Sequence, residues 1–429
     1  MEKGGTLDPS YTQSNAALKL LNGKVSYLTN SDATIHRKLS SNEYGDFYFI
    51  KSDGGLVYME TGNCNISSGT INGFQALNGG AVYMEGGTFT MSGGTIENCK
   101  AQYDSSVGSG GNGGNGGAVY INDASSAATV NITGGTLNYN YADQNGGAVY
   151  LKGGNVNITG GTIKGNKTLD ASGSYGDGAG IYLNKGNFTM TDGTISGNAA
   201  NHDGGGICVT SDDTDIDVEI SGGTITQNVA EHFGAGLYVK PGGSSSATVN
   251  IGATGTPYSN TNPSITGNSA SLRGGAIYAY GENTTLNLYD GLIKNNYVSS
   301  YVYNNDITNE GGSVNMELYP GDYATTELQG KPVPDLDYIT VTIDPAGGDF
   351  SAGTTTGDPV YRYLVKSTKS SLAIPTPKRT NYTFKGWLPS QGEGDTGYSL
   401  QDYIDATGGS MIFNYDKDIT LTAQWELAL

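Results

Sequence analysis

The chain is poor in cysteine, proline, basic residues, histidine and tryptophan, and most of these shortages exclude something. Three cysteines in 429 residues, Cys64, Cys99 and Cys208, make no disulfide framework, and no CxxC pair offers a zinc knuckle. Lys+Arg 22 against Asp+Glu 41 leaves a formal net charge of −19. Such a surface repels phosphate backbones and anionic lipid, so no nucleic-acid partner is expected. No apolar run approaches the length of a membrane span, so no membrane insertion is expected of this chain. Met1–Ser10 lacks a signal-peptide apolar core, so an export signal and any wall anchor are expected outside this sequence. There is no P-loop, no dinucleotide fingerprint, and no serine or cysteine nucleophile with an evident base.

Glycine is what the chain has in excess, with 68 residues, roughly double ordinary usage. The glycines follow no collagen-like period. They recur as pairs in the phrase Gly-Gly-Ala-Val-Tyr or a variant of it, beginning at Gly54, Gly79, Gly116, Gly146, Gly178, Gly204, Gly234 and Gly274. A degenerate ninth copy is read at Gly311. The intervals are roughly 25 to 40 residues, the range of solenoid repeats. Each copy runs on into a second phrase such as Val156-Asn157-Ile158 and a third such as Gly160-Gly161-Thr162-Ile163-Lys164-Gly165-Asn166.

Within the phrases the apolar positions alternate with period two, the mark of strands. Val82/Met84, Val119/Ile121, Val149/Leu151 and Ile181/Leu183 exemplify the first phrase, and Phe89/Met91, Val130/Ile132 and Phe188/Met190 the second. Ile96, Leu137, Ile163, Ile195 and Ile225 supply the third. Three short strands with one apolar face cannot bury a core alone, but stacked in register they close a continuous one. The expectation is an all-β solenoid, a parallel β-helix of about eight to nine coils with three faces per coil. It spans residues 54–330, with residues 1–53 as an N-terminal cap over the exposed sheet edge.

Asn140, Asn166, Asn198, Asn228, Asn268 and Asn296 recur at one corner, where stacked amides can bond successive coils. Two residues later Ala76, Ala101, Ala142, Ala200, Ala230 and Ala270 mark a tight position. The cysteines fall in different strands or corners and are expected as buried free thiols.

Around Lys331-Pro332-Val333-Pro334 the glycine-pair pattern stops, and the break reads as a linker. Beyond it, residues 336–429 carry Val341-Thr-Ile-Asp-Pro-Ala-Gly-Gly348, Ile374-Pro-Thr-Pro-Lys-Arg-Thr-Asn-Tyr-Thr-Phe-Lys-Gly-Trp387 and Asp418-Ile-Thr-Leu-Thr-Ala-Gln-Trp425. In that order these phrases closely resemble the Listeria–Bacteroides repeat, the β-grasp-like B-repeat of internalin-type surface proteins. The Gly-Gly-x-Ile-Tyr and Gly-Gly-Thr-Ile-x-Gly-Asn phrases likewise resemble the right-handed β-helices of adhesin-like proteins. Together the likenesses imply a cell-wall-attached or secreted bacterial surface protein that adheres to or presents a ligand. A host-surface protein or glycan is the partner they imply.

Three constellations are candidate sites. Tyr58, Tyr83, Tyr120, Tyr150, Tyr182, Tyr238 and Tyr278 occupy one repeat position and point away from the core, with Cys208 standing in once. Small residues beside them leave either an aromatic binding strip or rings lying flat as staples between coils. His202 and His232 each follow a ladder asparagine by four residues and are expected to stack on adjacent coils, flanked by Asp203 and Glu231. Such a corner suits a divalent metal or an acid/base pair of the kind carbohydrate-active β-helices use, and a polysaccharide lyase or hydrolase is therefore the alternative function. A polar corner with chance histidines remains open. Asp213, Asp215 and Asp217 share a strand face and are candidate Ca²⁺ ligands, or else a solvated acidic edge. No other cofactor is expected, and the chain is expected to be a monomer.

Overall fold

The computed structural model describes residues 18–20, 23–27, 34–36, 53–59, 62–104, 113–122, 127–169, 176–211, 213–252, 263–289, 291–299, 307–310, 313–316, 327–328, 331–332, 338–348, 360–365, 370–373, 377–390, 410–413 and 419–428. Among them there is no helix, and therefore none long and apolar enough to cross a membrane. The repeats stack into three parallel sheets, so the chain is the expected all-β parallel β-helix.

The first sheet has ten strands, one per coil, and contains the tyrosine column. Its register matches the repeat phrases, with Tyr58, Tyr83, Tyr120, Tyr150 and Tyr182 paired in succession. The alternation does what the sequence implies. Val119 and Ile121 are 0% exposed, whereas Tyr120 between them faces the outside of the coil and is only partly covered. From Leu56 to Ile307 the inward residues form one continuous core.

The second and third phrases do not make separate sheets. In the middle coils they fuse into single strands of ten or eleven residues, such as Thr129–Asn138 and Gly154–Lys164. Register shifts at Ile158, Thr159 and Thr162 bend the strand where the glycine pair falls. The third sheet is built instead from eight two-residue strands that carry the alanine position, from Gln75–Ala76 to Tyr297–Val298.

The glycine pair has a steric cause in each of its members. Gly79 sits at φ 60, and a Cβ on it would collide with the carbonyl oxygen of Val82. Gly80 has ordinary φ, but a Cβ there would strike the carbonyl of Gly117 on the next coil. The first glycine is needed for the turn and the second for the close approach of coils.

Two ladders of side-chain amides bond the corners. On the inside, Asn140, Asn166, Asn198, Asn228, Asn268 and Asn296 are all 0% exposed. The side-chain oxygen of Asn198, for example, accepts from both the backbone N–H and Nδ2 of Asn166, while its own Nδ2 donates to the Ile163 carbonyl at 3.1 Å. Every polar atom of the buried amide is thereby used, which removes the penalty of burying it. The residue before each of these asparagines is left-handed in six of the coils: Tyr139, Gly165, Gly197, Gln227, Gly267 and Asn295.

The outer ladder was not anticipated. The residue just before each of the first six glycine phrases offers a side-chain oxygen to the backbone N–H of its counterpart one coil on. Asp53 serves Asn78, Asn78 serves Asn115, Asn115 serves Asn145 and Asn145 serves Asp177. Asp177 then serves Asp203, and Asp203 serves Phe233.

Two sequence-based boundaries shift. Within the expected cap, Leu18–Leu20, Gly23–Tyr27 and Thr34–His36 pair in parallel with the first repeat coil, so this span contributes a further coil. The rest of residues 1–52 lies outside the described residues. At the other end, the first-sheet strand of the last coil is Ile307–Glu310, and Ser313–Met316 belongs to the long sheet. The Gly311 phrase is therefore a second phrase and not a ninth first phrase. Lys331–Pro332, read as linker, pairs antiparallel with Glu327–Leu328.

In the C-terminal segment the central strands Tyr338–Asp344 and Ile419–Leu427 run parallel, flanked antiparallel by Val360–Val365 and Tyr382–Pro389. Trp387 is fully buried there, and Trp425 donates Nε1–H to the Pro345 carbonyl at 3.0 Å. Phe384 packs edge-on against both indoles.

Candidate functional site

The first sheet presents its tyrosines as a stack. Ring centroids are 5.1, 5.2, 4.8 and 5.0 Å apart from Tyr58 through Tyr182, with planes within 16° of parallel. That spacing is the rung separation of the sheet, so each ring covers the face of its neighbour. Cys208 interrupts the column, and Tyr238 and Tyr278 stack beyond it at 5.6 Å, with Phe233 against Tyr278 at 4.6 Å. Of the two readings the sequence left open, the rings follow the one in which they staple adjacent coils, standing face to face rather than flat on the sheet. Ring faces staple the coils together, and what reaches the surface is ring edge and phenol oxygen.

The borders of this stack are polar and were missed in the sequence. On one side, two residues after the tyrosine on the same strand face, Glu85 Oε1 accepts from the phenols of Tyr58 and Tyr83 at 2.9 and 3.1 Å. Asn122 Nδ2 donates to Tyr83 Oη and to Glu85 Oε2, and Lys152 Nζ donates to Asn122 Oδ1 at 3.1 Å. On the other side runs the outer ladder from Asp53 through Asn115. Between the two lies a groove of about 530 Å³, lined by Asp53, Asn78, Asn115, Asn122, Gln144, Lys152, Tyr83 and Tyr120 together with Leu77 and Gly113. Burial raises the Asp53 carboxyl above its ordinary value, against two hydrogen bonds from Asn78 that lower it. Burial also raises the phenols of Tyr83 and Tyr120, so they stay neutral donors. Burial lifts Tyr150 as well, to about 12.

The histidine corner forms as the spacing predicts. His232 N–H donates to the His202 carbonyl at 3.0 Å, and the two rings lie 4.2 Å apart at 62°. The partner the sequence did not reveal is Asp177, whose Oδ1 lies 2.7 Å from His202 Nδ1. Asp203 Oδ2 is 3.2 Å from the same nitrogen. Burial by itself pulls the His202 imidazole down, but the hydrogen bond to Asp177 and the charges of Asp203 and Asp177 outweigh it, and the net shift is upward. Burial pushes the Asp203 carboxyl up, to about 6, although His202, the Phe233 N–H and the Tyr238 phenol work the other way. His232 goes down, through burial first and the neighbouring His202 second. Glu231 faces solvent and meets Asn201 Nδ2 at the long distance of 3.5 Å. The bridge pairing Arg273 with Phe233 places it two coils from Asp203.

Asp213, Asp215 and Asp217 do not converge. Asp213 pairs with Lys185 at 2.7 Å, Asp215 accepts the Ser246 N–H at 2.8 Å, and Asp217 is exposed on its strand. The three share no strand face, because the strand begins at Ile216 and only Asp217 lies in it, while Asp213 and Asp215 precede it. Asp212 lies outside the described residues. The group that does gather, among the described residues, is His202, Asp203 and His232, with ligand atoms within 4.8 Å of one another. The three cysteines are buried and free, and burial holds Cys64 and Cys99 up at about 12, so they are inert.

Fold and site together define a parallel β-helix solenoid with an edge-on aromatic column and a polar groove across its first coils. No protein-family model, curated protein or solved structure matches the chain.

Proposed function

We propose that this chain is part of an extracellular bacterial surface protein that adheres to a glycan or host-surface ligand through the tyrosine face of its solenoid. The observation that carries the reading is the groove over Tyr83 and Tyr120. It offers ring edges and phenols along its length, amides from Asn78, Asn115, Asn122 and Gln144, and one charge of each sign in Asp53 and Lys152. A polyhydroxylated ligand needs such a set of preorganised donors and acceptors beside a rigid apolar surface. The stacked rings lose little conformational freedom on binding because their neighbours already hold them. Placement on the cell wall rests on the likeness of residues 336–429 to the Listeria–Bacteroides repeat.

The alternative of a polysaccharide-cleaving enzyme at the histidine corner is less well supported. Asp203 has the raised pKa of a general acid but is 4% exposed, and its oxygens already meet His202 and the Phe233 N–H. A proton donor must reach the leaving oxygen, and this carboxyl is covered and already engaged at both oxygens.

The test is a glycan array and a host-cell binding assay with the full chain, followed by titration of the best ligand. Asn122→Ala should weaken binding about tenfold, about 1.4 kcal/mol of lost hydrogen bonding, while the β-sheet circular dichroism is retained. His232→Ala should leave binding as it was. Absence of binding to any glycan or cell surface would sink the adhesion reading. Hydrolytic activity abolished by His232→Ala would replace it with the enzyme.

A further inference from the structure

We propose that the corner formed by His202, His232 and Asp203 is a binding site for one divalent transition-metal ion of the zinc class. This inference is independent of the tyrosine groove, which lies on other coils.

The donor set is the first argument. Imidazole nitrogen with carboxylate oxygen suits zinc, cobalt, nickel or ferrous ion, whereas calcium and magnesium prefer all-oxygen sites. The second argument is spacing. Bonds of about 2.0 to 2.1 Å around a tetrahedral ion place ligand atoms roughly 3.3 Å apart. His202 Nδ1 and Asp203 Oδ2 already stand 3.2 Å apart. His232 brings the third donor within 4.8 Å of both, and its half-exposed ring can swing the remaining distance. The backbone fixes the partners firmly, since His232 N–H bonds the His202 carbonyl and Phe233 N–H bonds Asp203 Oδ1.

Charge is the third argument. Asp177 Oδ1, 2.7 Å from His202 Nδ1, adds a second carboxylate beside Asp203. Two carboxylates converge on one imidazole nitrogen, an arrangement that a doubly charged cation balances better than a single proton. Asp177, on the same side of the ring as the ligating Nδ1, can then serve as the fourth ligand. Lys240, exposed on the neighbouring strand, is a positive charge that opposes the site.

The outer ladder also shows that this corner departs from its structural purpose. Positions 78, 115 and 145 are asparagines, which satisfy the ladder without charge. Only Asp53, Asp177 and Asp203 are carboxylates there, and the last two are the pair that meets His202. Asparagine would serve the backbone equally well.

The experiment is isothermal titration of the full, chelator-treated chain with ZnCl₂ in moderate salt, with MgCl₂ and CaCl₂ as controls. One zinc per chain with a dissociation constant in the micromolar range or below is expected, together with a rise in the solenoid's melting temperature. His232→Ala should lower zinc affinity at least about a hundredfold while leaving the metal-free melting temperature unchanged. Asp203→Asn, which keeps the ladder acceptor, should lower it as well. The proposal fails if zinc binding is absent, or if it is multi-site and abolished by salt as on any acidic surface. It also fails if affinity is the same in the His232→Ala chain. None of these outcomes bears on glycan binding in the tyrosine groove.

Discussion

The side-chain oxygen of Asn166 accepts two hydrogen bonds from Asn140, one from its backbone N–H at 2.9 Å and one from its Nδ2 at 3.0 Å. The same double contact links Asn198 to Asn228 and Asn228 to Asn268. One side chain, that of Asn166, thus ties three coils together, because its Nδ2 reaches back to the Leu137 carbonyl on the coil before and also donates to the Asn198 oxygen on the coil after.

Removing one rung should therefore cost more than one hydrogen bond. Asn198→Leu would leave the buried Asn166 N–H without its acceptor and remove one bond each from the Asn166 Nδ2, the Ile163 carbonyl and the Asn228 oxygen. At about 1 to 3 kcal/mol for an unsatisfied buried group and about 1 kcal/mol for each further bond lost, the loss should be roughly 3 kcal/mol or more. Thermal unfolding followed by circular dichroism should show a midpoint lower by about 10 °C. A change below about 2 °C would mean that the ladder is not what holds the coils in register.

Asp53 gives the chain a pH dependence of known sign. Burial raises its folded-state pKa, so the fold favours the protonated form. Stability from this group is present at pH values below its ordinary carboxylate range and is lost as pH rises through the raised value. Asp53→Asn keeps an oxygen for the N–H and Nδ2 of Asn78 and removes the titration. The variant should match the wild type near pH 3.5, below the ordinary value, and melt higher than it at pH 7. Equal melting temperatures at both pH values would show that the carboxyl is solvated in the fold.

The two tryptophans report one segment. Trp387 and Trp425 are the only two in the chain, and Phe384 lies edge-on to both within 5.5 Å. Residues 336–429 made alone should give a blue-shifted emission that red-shifts in one cooperative step on adding urea. In the full chain the same step should leave the β-sheet circular dichroism of the solenoid in place. If the isolated segment emits as a solvent-exposed indole from the start, the segment depends on the solenoid for its fold.

Much of the solenoid can be read from spacing because its repeat is enforced one residue at a time. Ile163 pairs with Ile195, and Ile195 with Ile225, in the register the phrases imply. Any slip by one residue would turn these side chains out into water. The asparagine ladder and the stacking of His202 on His232 follow from the same rule, since residues at one repeat position must meet on adjacent coils.

What depends on the corners and on rotamers was decided only in three dimensions. No periodicity says that the strands before and after Gly160-Gly161 join into one bent strand, because that rests on a bulge between two coils. The outer ladder of Asp53, Asn78, Asn115, Asn145, Asp177 and Asp203 was visible as a column of Asp and Asn before the first six glycine phrases. Its purpose lay in the N–H it reaches one coil on. Tyr120 could be placed outside the coil by alternation alone. Whether its ring lay flat or stood on edge against Tyr150 depended on χ angles that only the packing of the next coil selects. His202 likewise met Asp177 because the coil closes to bring residues 25 positions apart into contact. Sequence order assigns that partner no privilege, and the geometry of the turn does.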